Sequence, residues 1–185
     1  MTFAFEEWKE ELTEALRADF KALSKRIAGE TLYAAALVTD SHAGSVYLGV
    51  HTEEALRRRI DYCKNEVGID TPSIAAALRW TPDEWEYSDG DLAEGKMPQV
   101  SRRLFDREDY SIESQAAFYE TASEALRRLD DEELFGTGAA REAVTLFLSV
   151  TDDDRTDEVE NYSAKLLNPE AVYRRFLGRF DGIGG

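Results

Sequence analysis

One cysteine, two histidines, four prolines and six lysines are spread over 185 residues, and no apolar run approaches the roughly 18 residues of a membrane span. Each shortage excludes something. Cys63 has no second thiol to pair with, so an internal disulfide is ruled out and a reducing, cytoplasmic setting is expected. The first nine residues are acidic and amphipathic, unlike the basic leader of an exported chain. Bases are also scarce: 22 Lys and Arg stand against 38 Asp and Glu, a net charge of −16. A surface with that balance is poorly suited to neutralising the phosphates of nucleic acid or of anionic lipid, so neither is expected as a partner. The oligomeric state is left open. What is present is enough for a core, since 43% of the residues are hydrophobic. High charge with that much apolar content describes a folded acidic protein rather than a disordered one. Length and the lack of a linker predict one domain over residues 1–185.

Phe5, Trp8, Leu12, Leu16, Phe20, Leu23 and Ile27 recur every three or four residues, which predicts a long amphipathic helix stopped at Gly29. Two strands follow, Thr31 to Thr39 and Ser45 to His51, close enough to form an antiparallel hairpin. Thr52 then caps a helix with Leu56, Ile60, Cys63 and Val67 on its buried stripe and Gly68 as its stop. The alternation Ile74, Ala76, Leu78, Trp80 predicts a third strand from Ser73 to Trp80. Thr81-Pro82-Asp83-Glu84 is a helix-start signal, a capping residue followed by proline at the first helical position. Residues 85–99 are polar, contain Gly90, Gly95 and Pro98, and read as a long loop. Ser111 opens another helix, with Ile112, Tyr119, Ala122, Leu126 and Leu129 on its apolar side. A fourth strand, Ala143 to Val150, precedes two closing helices, the second beginning at Pro169 after Asn168 as its cap. Only the first two strands are joined tightly, so the expected fold is α+β, with a four-stranded mixed or mainly antiparallel sheet and helices packed over it.

The catalytic inventory is thin. His42 and His51 read as turn and strand-end residues with no second cluster to complete a zinc site, and Cys63 reads as an inert thiol on a helix stripe. Phosphate-cradling loops, dinucleotide glycine patterns and serine elbows do not occur. No catalytic residue, metal site or cofactor is therefore assigned. Asp89 and Asp91 flank Gly90 without the spacing of a calcium loop, and Asp152, Asp153 and Asp154 follow the fourth strand. Arg79 stands next to Trp80, just before the turn that carries Glu84 and Trp85. Its ordinary reading is an arginine stacked on an aromatic ring or paired with a carboxylate; its functional reading is an anion contact in an aromatic pocket.

The string Arg79-Trp80-Thr81-Pro82-Asp83-Glu84-Trp85, with Leu32 to Asp40 before a hairpin, the Leu129 to Gly136 segment and a late strand ending in acids, resembles a bacterial family known as domain of unknown function 4303. The resemblance implies a compact α+β domain similar in size and character to small acidic immunity proteins that accompany secreted toxins. Such an analogy alone does not assign a function.

Three readings follow. The first is a non-catalytic acidic binding protein with a basic protein partner, of the kind an immunity protein inhibits. Arg79, Trp80, Glu84, Trp85, Asp89, Asp91, Asp152, Asp153 and Asp154 are its candidate binding residues. The second is a small-molecule or metal-dependent enzyme with a pocket near Arg79, Trp80 and Trp85 and the Asp152–Asp154 loop. The third is adaptation of the surface to a salty cytosol. The charge map separates them. Asp83 to Glu94 holds six acids and no base, and Asp152 to Glu160 holds six acids and one arginine, so −6 and −5 together supply −11 of the −16. If the third and fourth strands run parallel, both stretches lie at one sheet edge and form a single negative patch.

Overall fold

A computed structural model describes residues 3–181 of the chain. The opening spacing produces helix α1 (Phe5–Arg26), whose Trp8, Leu12, Leu16, Phe20 and Leu23 are buried. Strand β1 (Leu32–Asp40) follows and is buried along nearly its whole length, as a central strand covered on both faces must be. It pairs antiparallel with β2 (Tyr47–Thr52), the predicted hairpin. Thr52 caps α2 (Glu53–Tyr62) by accepting the Ala55 amide. The helix closes in a π-turn over Cys63–Val67, ended by Gly68 at φ +78°. The wider turn rotates the stripe: Leu56 is buried, Ile60 and Cys63 are half-buried, and Val67 faces solvent.

The predicted third strand is instead helix α3 (Pro72–Trp80). Thr71 accepts the Ile74 amide and Pro72 takes the first helical position, the same Thr-Pro signal that recurs ten residues later. Three consecutive alanines favour the helix, and Ile74 and Leu78, four apart, share its face. Pro82–Glu84 forms one 3₁₀ turn, without a side-chain cap from Thr81. The predicted loop after it holds three elements: the two-residue strand β3 (Tyr87–Ser88), a 3₁₀ turn over Asp89–Asp91, and the start of α4 (Met97–Phe105). Asp19 reaches from α1 to accept the Lys96 and Met97 amides, so α4 is capped by a residue 77 positions away. Helices α5 (Ile112–Asp131) and α6 (Gly138–Ala143) lead into β4 (Thr145–Thr151), followed by α7 (Thr156–Leu167) and α8 (Glu170–Leu177). Ile112 is 72% exposed, so it starts α5 outside the core.

The sheet order is β3-β2-β1-β4, with β4 parallel to β1 and the other pairs antiparallel. This is the expected α+β class with a four-stranded mixed sheet. One face, carrying Leu37, Leu48, Val50, Leu146 and Leu148, packs on α1, α4 and α5. The other, carrying Ala34, Ala36, Val38 and Phe147, packs on Leu56 of α2, Leu78 and Trp80 of α3, Trp85 and Phe176 of α8. Side chains satisfy outward-facing amides on both sides of the sheet. On β4, Asn168 accepts the Leu146 amide and donates to its carbonyl, and the Ser163 hydroxyl accepts the Leu148 amide. Asn168 therefore binds the strand and does not cap α8. On β2, where β3 ends, Asp89 accepts the Leu48 amide and Ser101 the Val46 amide. No helix among the described residues is long and apolar enough to cross a membrane.

Candidate functional site

A register shift between Leu32 and Ala34 brings Tyr33 onto the face that carries Ala34, beside His51. Tyr33 donates its one hydroxyl proton to the Arg79 carbonyl at 2.8 Å, so the 2.7 Å bond to His51 requires His51 Nδ1 to carry hydrogen and donate. Nε2 is then a bare lone pair, fully buried and without a partner among the described residues. Burial also pushes the His51 pKa down to about 4, so the ring is neutral. The Trp85 indole stacks on His51 with centroids 5.4 Å apart and donates to the same Arg79 carbonyl. Gly49 makes room for it: a Cβ there would stand 3.1 Å from Trp85.

The Arg79 side chain does what its ordinary reading predicts. It forms two hydrogen bonds with the Glu53 carboxylate, at 3.0 and 2.7 Å, and lies 4.3 Å above the Tyr33 ring. Beside it opens a cavity of about 520 Å³ lined by Tyr33, Glu53, Arg79, Trp80, Thr145 and Arg175. Trp85 lies outside this cavity, on a shallower surface pocket with Arg58, Arg59 and Glu84.

The acidic residues are scattered among other tasks. Glu84 pairs with Arg59 and Glu86 with Arg58. Asp89 is buried beneath the β2 edge, and Asp91 accepts the Ser88 amide in a capping box. Asp153 is held by Arg155, whose guanidinium and amide lower its pKa to about 2. Asp152 takes a left-handed backbone at φ +54°, and Asp154 is exposed. The condition for one acidic patch fails. The stretch from Asp83 follows a helix, and β3 and β4 are opposite edges of the sheet, about 14 Å apart. Nor do Arg79 and the aspartates share a pocket. Thr145 beside Arg79 begins β4 and Asp152 follows its end, about 20 Å away. No group of three or more His, Cys, Asp or Glu among the described residues is placed to hold a metal ion.

A second concavity was not foreseen from sequence. Helices α5 and α7 lie side by side and leave a groove of about 710 Å³. Leu148, Val159, Tyr119 and Tyr162 form its apolar surface, and Glu120, Glu124 and Glu158 stand on its rim. Tyr162 is 65% and Leu166 40% exposed. Lys9 binds Glu124, whereas Glu120 and Glu158 form no ion pair among the described residues. Arg127 lines the groove and donates to the Leu166 carbonyl at its far end, while Asp153 and Arg155 act electrostatically on Tyr119 at the near end. The Tyr119 hydroxyl is buried with no partner among the described residues. Tyr119 sits on the side of α5 that in sequence reads as core, and only the placement of α5 beside α7 leaves it lining a groove; Tyr162 carries no such signal in the sequence.

The model of the family described as Domain of unknown function (DUF4303) matches residues 12–169. The chain belongs to this family. No curated protein and no solved structure matches it. The matched segment contains the whole α5–α7 groove and the Arg79 string, and it ends before α8.

Proposed function

We propose that this member of the family is a non-catalytic binding protein that captures a basic protein partner, as an immunity protein masks a basic toxin. The observation that carries this reading is the α5–α7 groove. Its floor is apolar, its rim carries Glu120, Glu124 and Glu158, and the Asp152–Asp154 turn stands at the end where both helices begin. That combination suits a lysine- or arginine-bearing amphipathic helix laid between α5 and α7, with apolar anchors on Tyr162 and Leu166 and charges on the rim. The net charge of −16 adds long-range attraction, which speeds capture and weakens as salt rises. The lone, half-buried Cys63 fits a cytoplasmic site of action.

The test begins with the protein that co-purifies from the native cell, expressed by itself and titrated at about 50 and about 300 mM salt, two conditions with clearly different screening lengths. Binding should weaken at the higher salt. The double variant Glu120→Lys, Glu158→Lys should weaken it by about 100-fold, whereas the control Glu66→Lys, Glu94→Lys, with the same change in net charge, should change it by less than about tenfold. Equal losses in the two variants, or no basic partner at either salt, would refute the reading.

A further inference from the structure

The cavity beside Arg79 is locally electropositive in a strongly acidic molecule. Two arginines, Arg79 and Arg175, face one carboxylate, Glu53, and Tyr33 stays neutral because burial raises its pKa. Glu53 is already committed to Arg79 by two hydrogen bonds. Arg175 is exposed, gives one hydrogen bond to the Glu142 carbonyl, and forms no ion pair among the described residues. One positive charge is thus left over.

The cavity also contains an uncompensated polar group. Thr145 is completely buried, points to the same sheet face as Phe147, and its hydroxyl has no partner among the described residues. A buried hydroxyl without a partner is costly to keep. A ligand oxygen beside it would accept its proton. The remaining walls, Tyr33, Trp80 and Ala143, are mostly apolar, and the volume lies in the range of small-molecule sites.

We propose that this cavity binds a small organic monocarboxylate, its oxygens on Arg175 and the Thr145 hydroxyl and its apolar body against Trp80, Tyr33 and Ala143. A single negative charge matches the single excess positive one. The aromatic walls select a carboxylate with a body over a bare inorganic anion. This site is independent of the α5–α7 groove, on the opposite side of the sheet.

Benzoate is the probe, with acetate as the carboxylate lacking an aromatic body and inorganic phosphate as the competing anion, each titrated calorimetrically into the full chain. Benzoate should bind saturably, acetate at least about tenfold more weakly, and phosphate without saturation. Arg175→Gln, at an exposed position, should lower benzoate affinity by about tenfold or more. Thr145→Ser should retain binding. Thr145→Val provides a readout that a merely structural role would not give. By removing the unpartnered hydroxyl it should raise the Tm of the ligand-free protein by about 2–4 °C while weakening benzoate several-fold. The proposal is overturned if benzoate shows no saturable binding up to about 10 mM, where even a weak site would fill. It is equally overturned if phosphate alone binds, if acetate binds as tightly as benzoate, or if Arg175→Gln and Thr145→Val both leave the benzoate affinity unchanged.

Discussion

Asp89 takes the place of a strand residue at the point where β3 stops, accepting the Leu48 amide from a buried position. Burial raises its pKa to about 6, against an ordinary value near 4. Because the folded pKa lies above the unfolded one, the favourable contribution is complete below about pH 4 and is lost as the pH rises through about 6. His51 acts in the opposite direction: its folded pKa of about 4 lies below the unfolded value, so its contribution is complete above about pH 6.5 and is lost as the pH falls toward 4. Asp89→Asn keeps an oxygen for the Leu48 amide and removes the charge. Thermal melts should show this variant more stable than the parent at pH 7–8, by about 1–3 kcal/mol, with the difference vanishing near pH 4. The acid limb due to His51 should remain. At this scale the sequence was readable where a residue acts on its neighbours, as Thr52 does on Ala55. It was silent where the partner is remote, as for Asp19 and Lys96 or Asp89 and Leu48, because such pairings exist only once helices and sheet have docked.

At the scale of elements, α7 behaves as a substitute strand. Asn168 and Ser163 meet successive outward-facing amides of β4, Leu146 and Leu148, and Ser149 donates to Glu160 of the same helix. Glu160 in turn meets Arg179, and burial raises its pKa despite these contacts. Removing either amide partner leaves a buried N–H unsatisfied, so Asn168→Ala and Ser163→Ala should each cost about 1–3 kcal/mol in denaturant titrations. Hydrogen exchange should accelerate most at Leu146 in the first variant and at Leu148 in the second. The same scale shows where periodicity is ambiguous. Ile74, Ala76, Leu78 and Trp80 satisfy an alternating pattern, and Ile74 and Leu78 also satisfy a helical one. Over nine residues the Thr71-Pro72 cap decides, and it selects α3. For α1, with about six turns of apolar spacing, no such ambiguity arises.

For the molecule as a whole, the distribution of charge matters more than its total. Three of the six acids of α1 are paired with arginines of the helices that pack on it, Glu10 with Arg128 and Glu7 and Glu11 with Arg103, and Glu6 and Glu14 pair within α1 itself. Exposed pairs of this kind contribute about 0–1 kcal/mol each and are screened by salt, which at the same time relieves the repulsion from sixteen excess negative charges. The two effects oppose each other, so the Tm should rise by no more than a few degrees up to about 0.3 M sodium chloride and then level off as the screening length shortens. A Tm climbing steadily to molar salt would instead identify the acidity as adaptation to a salty cytosol. The sum by segments, readable from sequence, located the acids correctly along the chain. It could not foresee that the sheet order separates Asp89 from Asp152 and leaves the free carboxylates of Glu120 and Glu158 beside a groove. Many proteins recognise a partner by letting its extended segment add to an exposed edge, where main-chain bonds give affinity for almost any sequence. Here Asp89 and Ser101 occupy amides of one edge, and Asn168 and Ser163 those of the other. An extended segment adding at these positions would first have to displace Asp89, Ser101, Asn168 or Ser163 from the amides they hold, and the main-chain ladder it gained would be offset by the side-chain bonds it broke.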